Sequence, residues 1–185
     1  MNTLEKLQDE AYKEGVDIIE KPFESNRIKG LYCDSVIALS SDIKTSAEKA
    51  CVLAEELGHH YTSTGDILDL SVVTNRKQER AARLWAYNHM IGLRRLIDAF
   101  EHGCSNRHEI ASYLDVTEEF LIEALNCYRE KYGVYTVVDN YVVYFEPLGV
   151  GLLKKHPKAR GFSTLVVPNM VVQKNLNCIS SYYKL

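Results

Sequence analysis

The sequence predicts an α+β protein that is mostly helical and carries small β-hairpins. Apolar and small residues over 47–61 recur three and four residues apart, which is the spacing of one buried face of a helix. A second long helical pattern covers 76–89. Two pairs of β-rich runs flank the turn dipeptides at 34–35 and 139–140, and each pair predicts a hairpin.

The remaining elements follow from start and stop signals along the chain. Thr45 and Glu48 form a T-x-x-E capping box, which predicts the start of the helix at about Ser46. Gly92 separates the second long helix from a third, and Gly103 ends that third helix. The predicted order is helix 4–15, strand 16–19, hairpin 28–39, helix 46–61, loop 62–69, helix 76–89, helix 93–101, a helix-turn-helix-like pair over 109–131 and a hairpin over 134–145.

Charge is spread unevenly along the chain, and this change in composition helps to predict the domain boundaries. All 25 acidic residues lie at or before Glu146, whereas residues 147–185 carry six basic residues and no acid. We therefore expect a main domain over 1–103, a helix-turn-helix-like module with its hairpin over 104–148, and a basic C-terminal extension over 149–185.

Composition excludes several classes of protein. An apolar share of 46% suffices for a sizeable core, and no apolar run reaches the length of a membrane span. The first residues lack the apolar segment of a secretory signal, and the five cysteines include no C-x-x-C pair. These features predict a cytoplasmic protein with reduced thiols. A net charge of −3 gives no reason to expect binding to nucleic acid or to membranes.

The helix over 46–61 carries the residues that suggest chemistry. Glu55 and His59 lie four apart, so their side chains project together, with Glu56 beside them. In the H-E-x-x-H motif, residues at these positions hold zinc and the intervening Glu acts as general base. The other register, Glu56 with His60, would place Leu57 where the base is needed. The alternative without chemistry is a solvated helix face.

A metal on this helix needs a third ligand. Glu79, near the predicted start of the next long helix, is the best candidate, because two helices packed side by side could bring it against His59. Its alternative role is that of an acid favoured by the helix dipole. Asp66 and Asp69 on the intervening loop are rival ligands, although carboxylates are also common in turns.

The H-E-x-x-H helix is found in metallopeptidases, and such chemistry also needs a donor for the developing oxyanion. His60, Tyr61 and Arg76 are close enough in sequence to be that donor or to support the ligands, and the sequence does not choose among them. His60 is also explained as a surface or ligand-supporting histidine.

Three segments together resemble the ImmA/IrrE family of zinc-dependent peptidases, in particular members from Gram-positive phages and mobile elements. These segments are 48–61, 75–85 and the two-helix module after them, and the resemblance covers roughly residues 15–146. It implies a zincin-like metallopeptidase domain over 1–103. It also implies a partner, a DNA-binding repressor of the Cro/CI type, which such proteins cleave or antagonise. The alternative is an antirepressor that acts by binding only.

The resemblance implies a role for each motif residue. Glu55 stands at the first metal ligand, His59 at the second and Glu79 at the third, while Glu56 is the general base. The departure from the family is Glu55, which replaces histidine. Two carboxylates cancel the charge of a divalent ion, so we expect weaker zinc binding or slower turnover, with manganese as an alternative metal.

The helix-turn-helix-like module predicts packing or protein recognition. Its second helix begins with Glu118 and Glu119 and continues to Glu123, and these acids would be repelled by DNA phosphates. For a substrate, the hairpin over 28–39 offers an edge strand with which an extended peptide could pair.

Overall fold

The computed structural model describes residues 2–25, 27–62, 72–155 and 163–166. These residues form six helices and seven strands, which confirms the α+β class. In chain order the elements are α1 Thr3–Lys13, β1 Asp17–Lys21, β2 Gly30–Cys33, β3 Val36–Ser40, α2 Ser46–Thr62, α3 Val72–Met90, α4 Gly92–Glu101, α5 Arg107–Leu114, α6 Glu118–Tyr132, β4 Tyr135–Val138, β5 Tyr141–Phe145, β6 Leu148–Lys155 and β7 Ser163–Val166.

The first sheet has three strands in the order β1-β3-β2. Strands β2 and β3 form the predicted antiparallel hairpin, and both residues of its turn, Asp34 and Ser35, have positive φ (47° and 60°). Positive φ at both central residues is the requirement of a tight two-residue hairpin. Strand β1 pairs with β3 in parallel. Among the described strands none pairs with the outer side of β2, so β2 is an edge strand.

Helix α2 runs against α3 at very short range. The start of α2 is capped as predicted, because the Glu48 N–H donates to Thr45 Oγ1 at 3.2 Å. Near its end Gly58 lies against the backbone of Ala82, and a Cβ at this position would overlap the Ala82 carbonyl oxygen. Only glycine permits this approach, so Gly58 sets how closely the two helices bring their side chains together.

Helices α5 and α6 meet through a short turn in which Asp115 adopts the left-handed conformation (φ 57°), and Thr117 Oγ1 accepts from the Phe120 N–H at 3.2 Å. The two helices are confirmed, whereas a helix-turn-helix geometry remains a prediction. The second sheet has the order β4-β5-β6-β7, so the predicted hairpin β4–β5 is extended by two further strands.

One hydrophobic core joins all of these parts. Leu7 of α1, Leu53 of α2, Leu121 of α6 and Val150 of β6 belong to the same buried cluster. The three predicted segments therefore share a core, and their boundaries at 103/104 and 148/149 remain predictions. None of the helices in the described part of the chain combines the length and apolar composition that crossing a bilayer requires.

One helix boundary was predicted wrongly. The sequence pattern placed the start of α3 at about residue 76, but the helix begins at Val72. Glu79 therefore lies two turns inside α3, where the helix dipole does not explain it. The predicted loop over 62–69, with the rival ligands Asp66 and Asp69, lies outside the described residues from position 63 onward.

Candidate functional site

Helix α2 is buried on most of its circumference, and its remaining face opens into a cavity. Leu53, Ala54 and Leu57 are fully buried in the core. Glu55, Glu56 and His59 project to the other side and line a cavity of about 580 Å³. Helix α2 therefore separates the core from a polar chamber, and the motif residues face the chamber.

Four elements enclose this cavity. Helix α2 forms the floor, α3 contributes Glu79 and Arg83, the edge strand β2 forms one wall and the start of α6 forms the other. The sequence placed Glu55, Glu56, His59 and Glu79 in one site, and the fold brings all four to this one cavity. Their individual roles remain predictions.

His59, Glu79 and Arg83 form a continuous polar chain across the interface of α2 and α3. His59 Nε2 lies 3.3 Å from Glu79 Oε2. The other carboxylate oxygen of Glu79 accepts from Arg83 Nε at 2.7 Å. Glu79 is thus the residue through which the motif helix and α3 meet at the cavity, as the side-by-side packing of two helices predicted.

Glu55 and Glu56 are carboxyl groups in an environment that disfavours their charge. Burial raises the pKa of Glu55 to about 7, with Arg83 opposing the shift and Glu123 and Glu79 adding to it. Burial also raises the pKa of Glu56 to about 7, and the neighbouring Glu55 adds to the shift. Two adjacent acids whose pKa values are raised towards neutral pH are typical of functional sites.

Glu56 is also in contact with strand β2. The Tyr32 N–H donates to its carboxylate, which opposes the rise in pKa. A Cβ at Gly30 would lie 2.6 Å from Glu56 Oε1 and 2.6 Å from Val52 Cγ1. Glycine at position 30 therefore lets the general-base candidate lie directly against the edge strand.

Strand β2 directs backbone hydrogen-bonding groups away from β3, towards the open edge of the sheet. Lys29 O accepts from the Ser40 N–H, so Lys29 bonds to β3. Because antiparallel strands alternate, Gly30 and Tyr32 direct their N–H and C=O groups to the open edge. Gly30 and Leu31 line the cavity, so backbone groups for pairing with an extended chain are present beside Glu56.

His60 and Tyr61 make their contacts outside the cavity. His60 Nδ1 lies 2.9 Å from the Tyr32 hydroxyl. The Tyr61 hydroxyl donates to Glu10 Oε1 at 3.1 Å, and the Tyr61 ring stacks on Trp85. Neither residue lines the cavity, and their proposed support of the oxyanion or the ligands remains a prediction.

Arg76 lines a second groove between α3 and α6, whereas Arg83 lines both that groove and the cavity. The sequence signal for Arg83 was available, because it lies four residues after Glu79 on the same helix face. A second residue that sequence reasoning did not place here is Glu123 of α6, which accepts from the Tyr87 hydroxyl at 3.0 Å. No local pattern predicts its approach, because α6 reaches the cavity only through tertiary packing.

The donor set has the chemistry of a divalent-metal site, with two carboxylates and an imidazole around one cavity. Glu55 supports this reading, because a buried carboxyl with a raised pKa lacks an adequate countercharge, which a cation would supply. Within the described ranges, however, no three His, Cys, Asp or Glu side chains are arranged to hold an ion. In this conformation Glu79 bonds to Arg83 and His59 instead.

A helix that presents a carboxylate pair and a histidine to a cavity beside an edge strand carries the groups that metal-dependent peptide hydrolysis requires. The family model described as the IrrE N-terminal-like domain, a peptidase domain, matches residues 11–126. The chain therefore belongs to this family, which confirms the ImmA/IrrE resemblance and indicates a metallopeptidase-type function. No curated protein and no solved structure matches the chain.

Proposed function

We propose that this protein is a metal-dependent endopeptidase that cleaves a Cro/CI-type repressor of a phage or mobile element. The observation that carries the proposal is the convergence of Glu55, Glu56, His59 and Glu79 on one cavity beside the free edge of β2. Membership of the IrrE N-terminal-like peptidase family supports it.

Glu56 is the general base. Its pKa of about 7 suits a group that takes a proton and returns it, because a base works best when its pKa is near the working pH. Glu56 removes a proton from the water that attacks the scissile carbonyl carbon. It then delivers that proton to the amine nitrogen as the carbon–nitrogen bond breaks.

The substrate lies in extended form along β2. Gly30 offers its N–H and C=O and Tyr32 its C=O to a new strand, and Gly30 leaves room because it has no side chain towards the cavity. A strand added at this edge passes over Glu56, whose contact with the Tyr32 N–H fixes its position beside the scissile bond.

Glu55, His59 and Glu79 are the residues that would hold the ion, with zinc as the expected metal and manganese as the alternative. When bound, the ion would supply Lewis acidity to the reacting carbonyl and water. Glu79 would need only a side-chain adjustment, because its Oε2 already lies 3.3 Å from His59 Nε2 while its Oε1 can keep the bond to Arg83.

A binding-only antirepressor is the second candidate, and Glu55 favours it. A carboxylate in place of the first histidine lowers the net charge of the site, which lowers the acidity that a bound ion confers on water. Such a protein would keep the fold and the edge strand and would antagonise the repressor by binding it.

One experiment separates the two candidates. The protein and the repressor encoded beside it are expressed together, and repressor fragments and reporter expression are measured for the wild type and for Glu56→Gln. An endopeptidase gives fragments with the wild type and loses both fragments and derepression in the variant. Derepression that persists in Glu56→Gln without fragments shows a binding-only mechanism and refutes the endopeptidase.

A further inference from the structure

Two cationic residues of the cavity act on Glu55, and they differ in their partners. Lys29 pairs with Glu48, whereas Arg83 bonds to the proposed ligand Glu79. Arg83 bonds to Glu79 at 2.7 Å and acts electrostatically on Glu55, so it touches or influences two of the three proposed ligands. We propose that Arg83 is a positioning residue that restores to the metal site the positive charge that Glu55 removes. This inference rests on the proposed function.

The charge balance is the first step. A divalent ion with two histidines and one glutamate keeps one net positive charge. With Glu55, His59 and Glu79 as ligands the net charge is zero. Adding the Arg83 guanidinium, which bonds to Glu79, returns the sum over the ligands, the ion and this cation to one positive charge, and this balance would favour the acidity that the ion confers on water.

The geometry is the second step. Arg83 lies four residues after Glu79 on α3, and it bonds to the Glu79 oxygen that His59 does not contact. Arg83 therefore approaches the site through Glu79 and leaves His59 and Glu56 untouched. The Arg83 side chain is 47% exposed, so solvent screens part of its charge, and the direct bond to Glu79 is what couples it to the ligand set.

Arg80 provides a matched comparison on the same helix. Arg80 directly follows Glu79 in the sequence, so the two side chains do not lie one above the other on the helix. Arg80 pairs with Glu130 of α6 at 2.9 Å and lines the second groove. Arg80 has the same charge, its side chain is 62% exposed against 47% for Arg83, and it does not line the cavity. A general effect of removing an arginine from α3 would affect both positions equally.

The first measurement is the turnover of the repressor by purified variants. We expect Arg83→Gln to lower kcat about 10- to 100-fold with little change in KM, which is the range for groups that act on a site through its ligands. Arg83→Lys keeps the charge and should lose less. Arg80→Gln should keep the wild-type rate, and the thermal midpoints of all variants exclude a folding defect.

The second measurement is the zinc affinity, determined with zinc alone by competition with a chromophoric chelator. Removing a nearby cation should make Arg83→Gln bind zinc about 3- to 10-fold more tightly. A merely structural role, in which Arg83 holds Glu79 in place, predicts the opposite sign, a weaker affinity. Weaker binding would therefore overturn the proposal.

A double-mutant cycle with Glu55→His completes the test. If Arg83 compensates for Glu55, the loss in kcat caused by Arg83→Gln should shrink to less than about threefold in the Glu55→His background. An equal loss in both backgrounds overturns the charge compensation while leaving the peptidase intact. A wild-type protein that neither binds zinc nor cleaves the repressor refutes the proposed function itself.

Discussion

The two sides of the C-terminal half of α2 differ although their residues are neighbours in sequence. His59 faces the cavity and meets a carboxylate, Glu79. His60 faces strand β2 outside the cavity, where its Nδ1 contacts the Tyr32 hydroxyl and its ring packs against the Tyr61 ring. The cavity side of the helix, which we call the open side, holds several carboxyl groups with few cationic partners. The side of His60 is a closed network of rings and hydrogen bonds.

The closed side, which we call the aromatic cluster, comprises Tyr32, His60, Tyr61, Trp85 and His89. Tyr61 and His89 both contact Glu10 of α1, so the cluster ties the N-terminal helix to α2 and α3. Its polar atoms find protein partners, which favours stability. The open side instead holds Glu55 and Glu56, whose pKa values are raised chiefly by burial, which favours chemistry over stability.

The adjacent histidines provide the largest expected difference between the two sides. His59→Ala should lower peptidase activity by more than about 100-fold, because it removes a proposed ligand and not merely an outer partner. His60→Ala should change activity by less than about threefold and act on stability instead, through the lost contact with Tyr32. Repressor turnover and thermal midpoints of both variants measure this, and equal losses of activity would contradict the comparison.

The pH dependence of stability tests the charges of the open side. Glu55 and Glu56 have pKa values of about 7 in the fold against 4.5 for the free group, so the folded protein binds more protons than the unfolded chain between these values. Stability is therefore greatest at low pH in this window and falls as the pH rises from about 4.5 to 7, by up to about 3 kcal/mol for each group.

Urea unfolding of chelator-treated protein from pH 5 to pH 8 measures this loss. The Glu55→Gln/Glu56→Gln double variant is the control, because the histidines also titrate in this range and remain in both proteins. A wild-type slope no steeper than that of the double variant would show that these acids are not destabilised by burial.

The contact between α2 and α3 should be the next most sensitive position. Gly58→Ala places a methyl group against the Ala82 backbone, and we expect a cost of about 1–3 kcal/mol. Because the helices must move apart, His59 should also separate from Glu79 and activity should fall. Thermal unfolding compared with Ser46→Ala at the exposed start of α2 provides the measurement. An unchanged midpoint would mean that the helices do not meet as described.

The smallest expected effect lies in the aromatic cluster. Tyr61→Phe removes the hydrogen bond to Glu10 and keeps the stacking on Trp85, so we expect a loss of about 1 kcal/mol in the free energy of unfolding. Peptidase activity should stay at the wild-type level, because the ring lies outside the cavity. A marked loss of activity would instead support a role for Tyr61 in the oxyanion site.

Features encoded by neighbouring residues were predictable. The capped start of α2 follows from Thr45 and Glu48, and the β2–β3 hairpin follows from the two-residue turn at 34–35. The grouping of Glu55, Glu56 and His59 follows from helix geometry alone. Glu79 required one further assumption, that consecutive helices pack side by side.

Features that depend on distant contacts were not predictable. The parallel pairing of β1 with β3 and the strands β6 and β7 have no local signature that distinguishes them from other apolar runs. Likewise nothing near Glu123 indicates that α6 forms a wall of the cavity. The start of α3 was placed too late because the residues from Val72 to Asn75 carry no amphipathic pattern.

The sequence by itself determined the motif helix and the grouping of Glu55, Glu56 and His59 along it, because side chains three and four residues apart on a helix have fixed relative positions. Only the tertiary structure decided which neighbours those side chains meet. It turned His59 towards Glu79 and His60 towards Tyr32, brought Arg83 to the ligand set and placed Glu56 against β2. These choices follow from how the helices and the sheet pack, and no single segment of the chain contains that information.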